Sequence, residues 1–230
     1  MTDIFDEVSE DLRAERAQRL LQRYGYLLIV AAVLVVAAVG GWKYWTYRGG
    51  QARAAVADAF MTASRQASAP ADAQSSERGQ ASQTFAAMGQ DGPSGYRTLA
   101  RLHEAALKAS GGDLPGALAL WDQVSSDDAA DPDLRHVADL LWVQHQVDNG
   151  EPAAVEGRLA PLLAAGPWRP LALECEAWLK LRTGDRDGAV AVLQEIVVLP
   201  ATPTGVRSRA TELLTQLGAA PGAPGTERNG

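Results

Sequence analysis

The sequence predicts an all-α protein: one apolar helix near the N-terminus, then an array of helical hairpins. Three observations predict it. Residues 24–42 (YGYLLIVAAVLVVAAVGGW) run 19 residues without a charge, long enough to read as a membrane-spanning helix. After residue 50 no period-2 alternation of useful length occurs, and Gly and Pro instead punctuate segments of helical spacing. A glycine followed by an acid then recurs as Gly112-Asp113, Gly150-Glu151 and Gly184-Asp185, at spacings of 38 and 34 residues, the mark of a repeated helical hairpin.

The apolar run comes first. At ~1.5 Å of rise per residue it nearly matches a hydrocarbon core of ~30 Å. Tyr24 and Tyr26 flank one end, and Trp42, Tyr44, Trp45 and Tyr47 the other, as interfacial aromatic belts do. A soluble helix keeps a polar stripe, yet nothing between Leu27 and Val39 is polar. Residues 24–45 are therefore read as a single-pass transmembrane anchor, marked by Tyr24, Leu27, Val33, Val39 and Trp42. A cleaved signal peptide would need a short basic leader, whereas residues 1–23 form a long acidic amphipathic segment (Asp3, Asp6, Glu7, Glu10, Asp11, Glu15) that turns basic at Arg13, Arg16, Arg19 and Arg23. Four Lys and Arg precede the span and three follow it closely (Lys43, Arg48, Arg53), a bias toward a cytoplasmic N-terminus too slight for the positive-inside rule to fix the topology by itself. In that segment Ile4, Val8 and Leu12 give a face for the inner leaflet or a cytosolic partner.

Residues 46–217 then form the repeat domain. A helix over residues 51–66, an Ala/Ser-rich loop over 67–76 and a shorter helix over 77–88 make a degenerate first unit. Aligned on the three turn glycines, the seventh residue before each is Ala105, Val143 or Ala177, and the fifth after is Ala117, Val155 or Ala189. Small side chains thus recur where two helices must approach closely. Nine places after each glycine stands Trp121, Leu159 or Leu193, and Pro167 falls where a repeat ends. Asp131-Pro132, Asp113 before Pro115, and Thr202-Pro203 each offer a cap and a proline at a helix start. Leu134, Val137, Ala138 and Leu141 fall at helical spacing on one face, as do Ala189, Val192, Leu193 and Ile196. Residues 205–217 read as a solitary closing helix, and residues 218–230 (GAAPGAPGTERNG) as a disordered tail. The pattern of helix, Gly-Asp turn, and second helix with an Ala then a large apolar residue resembles the tetratricopeptide repeat.

Charge and chemistry narrow the function further. The 230 residues hold 21 Lys and Arg against 28 Asp and Glu, a net charge of −7 with no long basic run, so nucleic acid is excluded as a partner. The single cysteine, Cys175, shares a helical face with Leu171 and Trp178 and has no motif-placed base, so it reads as a packing thiol. His136 and His145 are nine apart, off the spacing that aims two imidazoles at one ion, and His103 stands alone. The acidic stretch at 125–133 (SSDDAADPD) lacks the turn glycine and closing Glu of a calcium loop, and reads as a linker with a cap. No Gly-Gly pair extends into a phosphate loop. The sequence therefore predicts no catalytic site, metal, cofactor or small-molecule substrate.

The binding surface expected of such an array is the face lined by the first helix of each pair. The matching positions are Leu99, Leu102 and Ala106, then Val137, Leu140 and Gln144, then Leu171, Glu174 and Trp178. This mixed apolar groove suits extended or helical segments of a protein better than a charged peptide terminus.

The order of parts also resembles the YfgM-like family, ancillary subunits of the bacterial SecYEG translocon, over roughly residues 4–217. The likeness rests on Gly41-Trp42-Lys43-Tyr44-Trp45 at the membrane exit and on Phe85 through Tyr96-Arg97-Thr98-Leu99-Ala100 before the first clear repeat. The resemblance implies a single-pass inner-membrane protein with a cytoplasmic N-terminus and a periplasmic repeat domain. It also implies association with the translocon and with a membrane-anchored periplasmic chaperone of the prolyl-isomerase type, and binding of newly exported polypeptides. The longer N-terminal segment, the insertion at 67–76 and the Pro/Gly tail depart from the family. Related tetratricopeptide domains coordinate envelope constriction, so a scaffold for cell division or cell-wall synthesis is the alternative.

Overall fold

The structure, a computed structural model, describes residues 30, 33–45, 47, 54–68, 74–164 and 166–220. The chain divides into two units, Met1–Asp58 and Ala59–Gly230. The expected cytoplasmic segment 1–23, Tyr24, Leu27, residues 31 and 32, residues 69–73 of the Ala/Ser-rich loop and the tail from 221 lie outside the described residues.

In the first unit, residues 33–45 are helical and every one of their side chains is exposed, including Val33 at 61%, Val39 at 58% and Trp42 at 75%. Among the described residues, no helix is long and apolar enough to cross a membrane. The described helix covers only the C-terminal half of the apolar run.

The repeat array is all helical among the described residues. Helix α1 spans residues 54–67. It is followed by α2 (Gln74–Asp91), α3 (Ser94–Ser110), α4 (Leu114–Ser125), α5 (Pro132–Gln146), α6 (Pro152–Leu162), α7 (Arg169–Arg182), α8 (Arg186–Val198) and α9 (Thr204–Gln216). Consecutive helices pack on one another, and the backbones of α3, α5, α7 and α9 also approach one another in series, whereas those of α4, α6 and α8 do not. The array therefore has one layer made of first helices and one made of second helices. Helix α2 is longer at both ends than the sequence pattern gives.

The core is built as a chain of local clusters. Ala63, Ala81, Phe85 and Ala100 join α1, α2 and α3. Ala105, Ala117, Trp121, Val124 and Ala138 join α3, α4 and α5. A third cluster runs from Leu140 through Leu159 to Leu179 across α5, α6 and α7, and a fourth from Leu173 through Ile196 to Leu214 across α7, α8 and α9. Each cluster spans three consecutive helices, as expected when a hairpin can bury its apolar side only against the next.

The nine residues aligned on the turn glycines are all buried in the array. Ala105, Val143, Ala177, Ala117, Val155 and Ala189 are 0% exposed, and Trp121, Leu159 and Leu193 are 1% exposed. The turns divide into two kinds. Gly112 and Gly184 take φ of +90° and +86°, the left-handed region that favours glycine. Asp113 N–H and Gly112 N–H then donate to the Lys108 and Ala109 carbonyls at 2.9 and 3.1 Å, and Asp185 and Gly184 repeat this on Lys180 and Leu181 at 2.8 and 3.2 Å. This is the Schellman closure of a helix end. Gly150 differs: its φ is negative, and it closes α5 with a bond from its N–H to the Gln146 carbonyl at 2.6 Å.

The caps hold for two of the three expected sites. Asp113 accepts from Gly116 N–H at 3.0 Å, and Asp131 from Asp133 N–H at 2.8 Å. Thr202-Pro203 is corrected: Pro203 stands at the N-cap of α9, and the buried Thr202 hydroxyl donates backward to the Ile196 carbonyl at 2.9 Å, finishing α8. A further cap, Asp185 to Gly188 N–H at 2.9 Å, repeats the Asp113 arrangement.

Two helix faces also differ from the pattern. In α5 the buried set is Ala138, Leu140 and Val143, with Leu134, Val137 and Leu141 half-buried. The seam with α6 and α7 turns that helix away from the face its apolar spacing alone selects. In α8, Ala189, Leu193 and Ile196 are buried and Val192 is half-buried.

Candidate functional site

A cleft of about 390 Å³ opens on the layer of first helices, lined by Gln144, Val147 and Asp148 at the end of α5, Glu174, Cys175 and Trp178 on α7, and Arg209 on α9. A smaller cavity of about 170 Å³ shares Glu174, Trp178 and Arg209 and adds Leu193, Ala210 and Leu213. The sequence places Glu174 and Trp178 four residues apart on α7, one helical turn, so both meet the same neighbours.

Trp178 is 46% exposed, unusual for so large an apolar side chain on a helix whose neighbours Ala177 and Leu179 are buried. Glu174 and Arg209 close the far wall: the guanidinium donates from Nε to Oε1 at 2.6 Å and from Nη2 to Oε2 at 2.7 Å. This two-pronged pair is the geometry in which arginine holds a carboxylate best. It holds the Arg209 charge more firmly than usual, through its bonds to Glu174. The cleft thus combines an exposed indole, one internally neutralised ion pair, and the amide of Gln144 and carboxylate of Asp148 at the rim.

Cys175 contributes packing. It is 5% exposed, and burial, with Glu174 beside it, pushes its thiol up to about 12, so it carries almost no thiolate at neutral pH. Leu171 packs with it in the core, and Trp178 lines the same cleft one turn further on.

The other expected groove residues are distributed differently. Gln144, Glu174 and Trp178 come together in the cleft. Leu140 is corrected to the core: it is 5% exposed and packs with Val143, Leu159 and Leu179, because α5 is rotated toward α6 and α7. Leu171 packs between the third and fourth clusters, and Leu102 against the second. Leu99 and Val137 are half-buried and Ala106 is exposed, and none of these three lines the cleft.

Sequence reasoning missed Arg209, Val147 and Asp148. Arg209 lies 35 positions from Glu174, beyond any local spacing rule. One signal was available: Gly218 follows Gly184 by 34 residues and takes φ of +69°, so α9 ends as α3 and α7 do. It closes the series as another first helix.

The acidic stretch at 125–133 is fully used within the fold. Asp127 pairs with Arg101 at 3.3 Å, Asp128 with Arg135 at 3.4 Å, and Asp131 caps α5. Among the described residues, no group of three or more His, Cys, Asp or Glu side chains is placed to hold a metal ion.

Comparison with known proteins gives one family. The model of the tetratricopeptide repeat-like domain matches residues 18–196, well over half of the chain. Neither the curated proteins nor the solved structures include a match to this chain. The matched region reaches from before the apolar run into the last turn of α8 and leaves α9 outside. Domains of this kind are generally non-catalytic protein-interaction modules. With helical pairs, glycine turns and a match of this length, the chain belongs to the tetratricopeptide repeat-like domain family.

Proposed function

We propose that the protein is a non-catalytic, membrane-anchored interaction module of the bacterial inner membrane, with a cytoplasmic N-terminus and a periplasmic repeat domain. In this reading it is an ancillary subunit of the Sec translocon, linking the channel to a membrane-anchored periplasmic chaperone and to newly exported polypeptides. The observation that carries the membrane part is the helix over residues 33–45, apolar through Val39 and exposed along its whole length. Such a surface needs lipid or protein around it. It continues the uncharged run from residue 24, and the family match begins upstream of that run. The translocon part rests on the resemblance to the YfgM-like family at residues 41–45 and 96–100. The binding part rests on the Trp178 cleft.

Site-directed photo-crosslinking in cells tests this reading, with probes at Leu27 and Val39 in the span and at Gln144 and Trp178 in the cleft. Channel subunits captured from the span, with exported chains or a periplasmic chaperone captured from the cleft, are the expected result. Capture of division or cell-wall enzymes with no channel subunit would replace it with the scaffold alternative.

A further inference from the structure

The cleft carries a selectivity element that lies outside the family's matched region. Three of its features fix the chemistry of an occupant. First, Trp178 presents a half-exposed indole to a cavity of about 390 Å³, a size that takes bulky side chains. Second, Glu174 is the more shielded partner of its ion pair, its side chain 15% exposed against 58% for Arg209, so Arg209 stands between the Glu174 carboxylate and solvent. Third, Asp148 remains at the rim, and residues 59–230 carry 14 Lys and Arg against 21 Asp and Glu, while residues 1–58 carry seven of each. The whole excess of negative charge sits on the unit that bears the cleft, and it repels acidic chains.

We infer that α9 is the specificity wall of this cleft: Arg209 neutralises Glu174 so that the site takes an extended, uncharged segment of another protein, seating a bulky apolar side chain on Trp178 and rejecting acidic segments. The inference deepens the interaction reading above and rests on it. Extended segments supply backbone donors and acceptors that the Gln144 amide can meet in either sense. Removing Arg209 would uncover a carboxylate already placed in the wall, and the site would then favour a cation.

The test uses the full-length chain in a neutral detergent and labelled peptides of about ten residues, each with a central Leu-Phe pair flanked by Ser and Gly, by Lys, or by Glu. Anisotropy should show the neutral peptide bound, the Glu peptide about tenfold weaker, and Trp178→Ala about tenfold weaker for the neutral peptide. Arg209→Gln should raise the affinity for the Lys peptide relative to the neutral one by about tenfold, and Glu174→Gln/Arg209→Gln should abolish that gain. Glu174→Gln alone, which leaves α9 untouched, should move preference toward the Glu peptide, so the idea stays testable if Arg209→Gln loses helix by circular dichroism. An unchanged Lys-to-neutral ratio in a folded Arg209→Gln, an unmoved Glu174→Gln preference, unaltered binding by Trp178→Ala, or no binding of any peptide would each overturn it. Channel capture from the span without peptide binding would discard this inference and leave the anchor reading. Peptide binding without channel capture would do the reverse.

Discussion

At Gly184 a φ of +86° makes any side chain costly, because a Cβ in the left-handed region crowds its own carbonyl. Gly157, inside α6, meets nothing within 4 Å of an added Cβ. Two alanines should therefore act in opposite directions. Gly184→Ala should lower stability by about 1 kcal/mol and Tm by about 2–4 °C, and Gly157→Ala should raise stability by up to about 1 kcal/mol, both read by thermal melts. His103 gives a pH handle. It stacks on Phe85 with ring centres 5.0 Å apart, and Phe60 meets it edge-on at 5.2 Å. Burial holds its imidazole below the ordinary 6.5, so the unfolded chain takes up the proton first as pH falls. The stabilisation is complete above pH 6.5 and is lost as pH drops through the folded value. Melting curves from about pH 7.5 to about pH 5 should fall less steeply for His103→Phe, which keeps the stack without a titrating ring. Equal slopes would remove His103 from the acid response.

Between elements, Arg158 on α6 ties two repeats together. It pairs with Asp139 on α5 at 2.9 Å and with Asp122 on α4, and its guanidinium lies 4.4 Å from the centre of the Trp142 ring. Ser125 adds a donated bond to Asp139 at 2.6 Å. Arg158→Ala should cost about 2 kcal/mol and about 4–8 °C in Tm, since it strands two carboxylates and removes the cation from the indole. Arg158→Lys should recover only part of the loss, because an ammonium cannot fork between both acids. Full recovery by Lys would reduce the network to a point charge. The Asp113 and Asp185 caps act at the same scale. A Cβ on Gly116 or Gly188 would stand 2.3 or 2.1 Å from a cap carboxylate oxygen, so each Asp-x-x-Gly is a matched pair that starts a second helix.

Across the whole molecule, stability is local and binding is not. The four core clusters follow chain order, so damage to one repeat is felt chiefly by its neighbours. The membrane reading belongs to this scale, because the exposed apolar helix at residues 33–45 has no burial of its own. The full chain should stay with the membrane pellet through alkaline carbonate extraction, and Val33→Asp/Val36→Asp should release it. Release of the unaltered chain would remove the anchor from the proposal.

The sequence by itself determined the helical class, the three glycine turns and nine of the buried core residues, because these follow from short-range periodicity and from the close approach of neighbouring helices. It also held Glu174 and Trp178 one turn apart on α7. Only the tertiary structure decided what faces them. The rotation of α5 took Leu140 into the core and left Gln144 at the rim, and Thr202 closed α8 where its sequence suggested a start for α9. Arg209 reached Glu174 across 35 residues. Such contacts depend on how helices rotate as they pack, a sum over many neighbours that no spacing between two residues encodes.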